Sequence, residues 1–229
     1  DRPREPHVKR RHLVLGAAAL LVTVAGSVVG LFVVPADALQ GEVQRLMYIH
    51  VPTAWVAMLA FFVVFVMSVL YLIQRDERWD LVAASSAEIG VLFTAVTLVL
   101  GSLWGKPTWG VWWTWDPRLT TTAILLVIYV GYLAVRSFAE DPEKRARWAA
   151  VVGIVGFVDV PIVYLSVYWW RTLHQPPSTP RTMDPEFLWT LMLNLLAFTL
   201  VYAYLMARRY RLARTERQIE RAAAEGDAP

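Results

Sequence analysis

The sequence predicts an all-α integral membrane protein: six transmembrane helices, an irregular tryptophan-rich outer loop, and both termini in the cytoplasm. Three observations lead there. Apolar residues make up 57% of the 229 residues and charged ones only 18%, with a mean hydropathy of +0.44. The apolar residues gather into six runs, each close to the ~20 residues that a helix needs to cross a bilayer. The charges lie between the runs, and lysine and arginine concentrate in alternate loops, which is how orientation in a membrane is encoded.

Each span must satisfy its own backbone hydrogen bonds, so helices are the expected form. The first span, Leu13–Val34, follows a basic segment, and Ala36-Asp37-Ala38 behind it mimics a signal-peptide cleavage site. Its apolar core of 22 residues exceeds the ~7–15 of a signal h-region, so it reads as a retained helix. The second and third, Thr53–Ile73 and Leu81–Leu103, flank a short loop. The fourth, Leu119–Val135, follows Asp116-Pro117. The fifth, Trp148–Trp170, follows Asp141-Pro142, and the sixth, Phe187–Ala207, follows Asp184-Pro185. Each Asp-Pro pair sets an N-cap acceptor before a proline at the first helical position. The tail, residues 208–229, is rich in Arg, Glu and Ala and extends the last helix into the cytoplasm. No linker or repeat divides the chain, so residues 1–229 read as one six-helix membrane domain.

Basic residues set the orientation. Arg2, Arg4, Lys9, Arg10 and Arg11 precede the first span, and Arg75 and Arg78 follow the second. Arg136, Lys144, Arg145 and Arg147 follow the fourth; Arg208, Arg209, Arg211, Arg214, Arg217 and Arg221 follow the sixth. The other three loops hold only Arg45, Lys106, Arg118, Arg171 and Arg181. Seventeen against five places the first group in the cytoplasm and the other loops on the outer face.

That outer face carries the densest chemistry. Trp104, Trp109, Trp112, Trp113 and Trp115 fall within twelve residues. Interfacial tryptophans ordinarily come singly at helix ends, and Trp55, Trp79, Trp148 and Trp189 fit that description. A cluster makes a broad aromatic platform suited to a large flat ligand. The spacing Trp112-Trp113-x-Trp115 turns its rings to different faces, so only a subset would touch a ligand. Gly105, Pro107 and Gly110 break regular structure, so residues 104–118 read as an irregular loop. Of the four histidines, His50 and His174 flank this loop from either side, whereas His7 and His12 lie in the basic tail and are assigned no chemistry.

The ending Trp115-Asp116-Pro117-Arg118-Leu119-Thr120, with Met47-Tyr48-Ile49-His50-Val51-Pro52, Asp159-Val160-Pro161-Ile162 and Trp169-Trp170-Arg171-Thr172-Leu173-His174-Gln175, resembles the WWD-motif haem-handling membrane proteins. Within that group it looks most like the cytochrome c maturation protein C family, with motifs in matching order from residue 47 to 175. The resemblance implies a protein of the bacterial inner membrane that holds haem b transiently and non-covalently on the periplasmic side. It implies presentation of that haem to a periplasmic haem chaperone during cytochrome c biogenesis. The implied partners are the ATPase and membrane subunits of an ABC transporter and a small single-span helper protein, with membrane lipid around them. It carries the role of axial iron ligand to His50 and His174.

Residue chemistry is compatible with this. Imidazole is a common axial ligand of haem iron, and one histidine from each flanking loop would close both axial positions. The plainer reading is a pair of interfacial histidines. Neutral imidazole is the form that binds iron, so acid should weaken the site near an ordinary histidine pKa of ~6.5. Arg118, Arg45 and Arg171 offer guanidinium forks for propionates; the alternative is contact with lipid headgroups, which suits Arg181. Asp116 is either a simple N-cap or a carboxylate that orients an imidazole N–H. Asp159 and Glu88 lie inside spans, where ionised groups are expensive. They read as helix-packing groups, with Ser85, Ser86, Thr94, Thr97 or Asn194 as partners, in preference to a proton or conformational role.

Absences narrow the function. The chain has no cysteine, which excludes disulfides, thiolate metal sites and thioether haem attachment. No phosphate-cradling Gly-rich loop occurs, so ATP is hydrolysed elsewhere. No basic stripe with stacking aromatics points to nucleic acid. Together with the resemblance, these absences imply a haem-handling transport subunit without its own ATPase, with haem lyase activity left open. Two alternatives are a haem lyase of a related WWD family and a cytochrome b-like electron carrier. Lyase relatives are larger, and an electron carrier would hold haem between helices at membrane depth.

The charge count gives a direct test. Single cysteines introduced at Thr108 and Thr179 should be labelled by an impermeant maleimide from the periplasm, and one at Glu143 only from the cytoplasm. Cytoplasmic labelling at Thr108 would reverse the topology and remove the outer-face site.

Overall fold

The computed structural model describes residues 5–139, 141–177 and 179–226. They form helices α1 (Glu5–Val28), α2 (Met47–Gln74), α3 (Glu77–Trp109), α4 (Pro117–Phe138), α5 (Pro142–Phe157), α6 (Asp159–Trp169) and α7 (Pro185–Gly226), with no strand among the described residues. A π-turn, Val29–Val33, ends α1, and a 3₁₀ turn, Glu42–Leu46, leads into α2. Six segments are long and apolar enough to cross a membrane: His12–Val33, Glu42–Gln74, Glu77–Trp109, Pro117–Phe138, Pro142–Trp169 and Pro185–Ala223. The protein is a multi-pass membrane protein. Six crossings put the start of α1, the end of α7, the 75–76 turn and the α4–α5 turn at one end, and the loops bearing His174 and the tryptophans at the other.

Two of the Asp-Pro starts, at α4 and α5, behave as capping chemistry requires. Asp116 accepts from the Arg118 N–H, and Asp141 accepts from Glu143 and Lys144. One boundary differs from the sequence reading. The irregular loop expected over 104–118 is helical as far as Trp109, with Pro107 inside the last turn of α3. Proline at 107 removes the donor that would reach Leu103 O, and the Thr108 hydroxyl adds a bond to Trp104 O at 2.8 Å in the same turn. Gly110, with φ of +80°, closes α3, and its N–H donates to Lys106 O. The truly irregular stretch is only 110–116. The fifth span is broken at Val158, between α5 and α6. Pro161 lacks the N–H that would bond Phe157 and crowds that carbonyl, so the chain slips into a tighter turn.

α2 and α3 form the central pair, with α4, α5 and α6 on one side and α7, carrying α1, on the other. Lipid tails are as apolar as leucine, so close approach of small residues holds such a bundle together. Ala60, Ala83, Ala87 and Ala149 are all nearly or fully buried. A Cβ on Gly90 would sit 2.5 Å from the Phe61 ring, which stacks on Tyr129 at a centroid distance of 3.7 Å. Polar pins add direction. The Ser86 hydroxyl joins Ala60 O and the Tyr202 hydroxyl at 2.8 Å each, and Asn194 donates to Gly26 O at 3.0 Å, fastening α1 to α7.

Charges near the termini end are paired across helices. Arg136 grips Asp80 with two bonds of 2.5 and 2.9 Å, and Arg209 grips Glu88 with 2.5 and 2.8 Å. Arg217 and Arg221 both meet Glu77. The hydroxyl and amide partners expected for Glu88 are thus replaced by an arginine from α7. Asp159 also departs from expectation. Ser85, Ser86, Thr94, Thr97 and Asn194 bond elsewhere, and its Oδ2 is buried at the α5–α6 break with no hydrogen-bond partner among the described residues.

The Asp80–Arg136 pair has side chains only 11% and 14% exposed, so cutting one partner strands the other. Asp80→Ala should cost about 3–5 kcal/mol and lower the thermal unfolding midpoint of the detergent-solubilised chain. Asp80→Ala with Arg136→Met should recover much of that loss. An unshifted midpoint in the single variant would mean that the pair contributes nothing.

Candidate functional site

His50 enters on the first turn of α2, which the 3₁₀ turn Glu42–Leu46 aims inward. Its ring lies over Gly101 of α3, where a Cβ would come within 3.2 Å of the imidazole. A side chain there would push the ring by a few tenths of an ångström, so the glycine eases its seat. One turn further along α3, Trp104 meets His50 edge to face at 5.7 Å between centroids. The Trp104 indole N–H donates to Gln40 Oε1 at 2.8 Å. Gln40 is itself held by Asp37, whose carboxylate accepts the Leu39 and Gln40 N–H groups in a tight turn.

His174 comes from the loop after α6 and meets Trp109 edge to face at 5.2 Å. Trp104 and Trp109, five residues apart, both stand on the last turns of α3, one beside each histidine. Asp116 holds this loop. Its Oδ1 accepts the Arg118 N–H at 3.0 Å and caps α4, while Oδ2 accepts the Thr172 hydroxyl at 2.6 Å and the Leu173 N–H at 2.7 Å. The Thr172 hydroxyl oxygen then accepts the His174 N–H at 3.0 Å. Asp116 is thus a cap and a loop anchor at once. It orients His174 through the backbone and not through the imidazole N–H.

The two histidines, Trp104, Trp109, Arg118 and Gln40 line one cavity of about 390 Å³. Its volume falls within the ~300–1,000 Å³ of ordinary ligand pockets. Leu191, Met192 and Leu195 of α7 and Ala54 and Met58 of α2 continue the wall toward membrane depth. Arg118 spans the cavity from α4 and donates to Tyr164 O at 2.8 Å, with its Nε buried and unpartnered. His50 Nδ1 and His174 Nδ1 are also buried without a partner among the described residues.

Other candidates from the sequence lie elsewhere. Arg45 is bound to Glu42 and to Gly30 O at 3.3 Å and does not line the cavity. Arg171 is exposed outside it. Trp112, Trp113 and Trp115 are 56%, 36% and 79% exposed and form an outer ledge, Trp113 edge-on to Trp115 and Trp112 beside Lys106. Conversely, Trp55, read as a belt residue, lines the cavity and donates to the Thr199 hydroxyl. Gln40, Gly101, Thr172 and Tyr164 escaped the sequence reading. Only Thr172 lay inside a quoted motif, and nothing in the spacing marks the rest.

Electrostatics favour neutral imidazole and ionised carboxylate. Burial and the neighbouring Arg118 cation pull the His174 pKa down to about 4, against the weaker opposing pull of Asp116. The sequence expectation of titration near ~6.5 therefore moves to a much more acid window. Asp116 pays a burial penalty, yet the Thr172 hydroxyl and the Leu173 and Arg118 N–H groups hold its pKa below the usual carboxylate value.

The comparisons with known proteins are consistent along nearly the whole chain. A family profile described as Heme exporter protein C matches residues 6–225. A Heme exporter protein C of Bradyrhizobium diazoefficiens is 40% identical over 193 residues, which is 82% of this chain and 73% of the relative. The Heme exporter protein C of Escherichia coli strain K12 is 37% identical over 198 residues, 86% of this chain and 81% of the relative. A putative cytochrome c biosynthesis ccmC-like mitochondrial protein of Marchantia polymorpha is 43% identical over 148 residues, 65% of this chain and 62% of its own length.

Asp116→Ala should free the 170–175 loop and remove a helix cap worth ~1 kcal/mol. Hydrogen exchange at the Leu173 and His174 amides should accelerate markedly, with exchange in α2 and α3 unchanged. Unchanged protection at Leu173 would show that the loop is held by something other than this carboxylate.

Proposed function

The chain belongs to the heme exporter protein C family, and from that premise we propose that it holds haem between His50 and His174 and hands it on from the outer face. A role in haem handling for cytochrome c maturation, as a transport subunit, follows from the family itself. One observation carries the finer reading. Two histidines from separate elements line a single largely apolar cavity, each backed by a tryptophan of α3, with one arginine reaching in beside them.

The donor set fits haem as cargo. Both imidazoles keep a buried Nδ1 unused by the protein. Imidazole nitrogen is a standard axial donor to haem iron, and the depressed His174 pKa keeps that residue in its binding form down to about pH 4. Trp104 and Trp109 present ring surface suited to a macrocycle. Arg118 is the propionate partner, a guanidinium matching a carboxylate in the same apolar space. Because the chain has no cysteine, the haem, of the b type, is held without a thioether and remains free to leave.

The basic partition supports placing this cavity on the periplasmic side of the inner membrane. We assign the exposed Trp112, Trp113 and Trp115, which follow the cavity-lining Trp109 in the chain, to docking of a periplasmic haem chaperone. The chain has no nucleotide-binding loop, so the ATPase and membrane subunits of an ABC transporter, with a small single-span helper, complete the complex. Arg45 and Arg171 stay outside this assignment.

Absorption spectra of the purified chain test it. His50→Ala and His174→Ala should each shift the Soret band and abolish haem transfer. Arg118→Ala should lower haem content with less spectral change, and His12→Ala should leave the spectrum unchanged. Acid should release haem near pH 4 and not near the ~6.5 of an ordinary histidine, because protonation of His174 is resisted until then. Retention of spectrum and transfer after loss of both histidines would overturn the assignment.

A further inference from the structure

We propose a second binding site, for an anionic phospholipid, in the groove between α1 and α7 at the end of the bundle that holds the termini. It lies at the opposite end from the histidines and does not rest on the haem assignment. The groove has a volume of about 690 Å³. On α7 it is lined by Tyr204, Arg208 and Arg211, and on α1 by Leu13, Gly16 and Leu20, with His12 and Ala17 completing it.

Helical spacing explains why these residues converge. Tyr204, Arg208 and Arg211 stand at i, i+4 and i+7, one stripe of α7. Gly16 lets α1 approach: a Cβ there would meet the Tyr204 ring at 2.9 Å. The neighbouring Arg209 turns the other way, into its ion pair with Glu88 on α3, and Arg217 pairs with Glu77. α7 therefore divides its arginines. One set ties the bundle together; the other points its charge into the α1 groove.

The groove is graded along its length. Arg208 and Arg211 lie toward the helix end, and Tyr204 and Leu20 toward membrane depth, the span from residue 211 to 204 being about 10 Å of helix rise. Leu13 and Leu20, 72% and 65% exposed, form an apolar rim. Cationic groups at the membrane surface above an apolar trough match a phosphate headgroup above its acyl chain, and basic pockets between membrane helices take anionic headgroups in this way. Among the described residues no carboxylate lines the groove, and its two arginines favour a net negative headgroup over a zwitterionic one. The charge selects the anionic class.

The full chain in nanodiscs of equal phosphatidylglycerol and phosphatidylcholine, released into native mass spectrometry, tests the site. Phosphatidylglycerol should be retained preferentially. Arg208→Gln with Arg211→Gln should cut that retention by roughly 30-fold, from about 1 kcal/mol per surface cation at tenfold per 1.4 kcal/mol. Arg208→Lys with Arg211→Lys should keep most of it, and Lys144→Gln with Arg75→Gln, the same charge loss at the same end, should keep all of it. Excess sodium phosphate should not displace the lipid; displacement would make this a phosphate site and overturn the lipid assignment. Equal retention of the two lipids, or the same loss in the control pair, would overturn it as well. The haem spectrum should be unchanged throughout.

Discussion

The site end of the molecule depends on the two oxygens of Asp116. One caps α4; the other holds the Thr172 hydroxyl and the Leu173 N–H. A helix start and a distant loop are thereby locked to a single carboxylate, and His174 is delivered to Trp109 as a consequence. The arrangement is strong because three donors converge on one buried anion, and charge-assisted hydrogen bonds exceed neutral ones. It also explains why Arg118, two residues on, reaches the cavity: its backbone is fixed by the same cap.

The rest of the bundle answers to the low polarity of its surroundings. With little hydrophobic gain available between helices in lipid, packing rests on alanine and glycine contacts and on a few hydroxyl and amide pins. Two carboxylates within the bundle, Asp80 and Glu88, are consequently cross-linked to arginines, whereas Asp159 is not. Asp80 with Arg136 and Glu88 with Arg209 sit toward the termini end, where α7 runs on past the membrane as a helix and folds its arginines back onto α3. Among the described residues no ion pair between helices lies at the histidine end, where Arg45 pairs with Glu42 of its own turn. The strength of that end lies in aromatic edges and one anchored loop, consistent with a place where something large enters and leaves.

The cavity is a composite. His50 comes from α2, the two tryptophans from α3, Arg118 from α4, His174 from the loop after α6, and Gln40 from the α1–α2 connection. No single segment contains enough of it to be a site alone. The dense tryptophan run likewise serves two ends: its helical part backs the histidines, and its irregular part stands outside as a ledge.

The sequence by itself determined the six spans, the three Asp-Pro helix starts, the asymmetry of basic charge and the pairing of His50 with His174 as candidates. These are local or one-dimensional signals: run length, capping chemistry and residue type need no partner to be read. Tertiary structure decided which groups meet. Whether Arg45 or Arg118 faces the cavity depends on Glu42 and Gly30, which hold Arg45 away. That Glu88 finds Arg209, 121 residues distant, follows from the packing of α7 on α3. α3 continues through Pro107 to Trp109, and His50 packs against a glycine of another helix. Such pairings are long-range and leave no periodicity in the chain, because a side chain's partner across a bundle is fixed by helix rotation and approach and not by sequence distance.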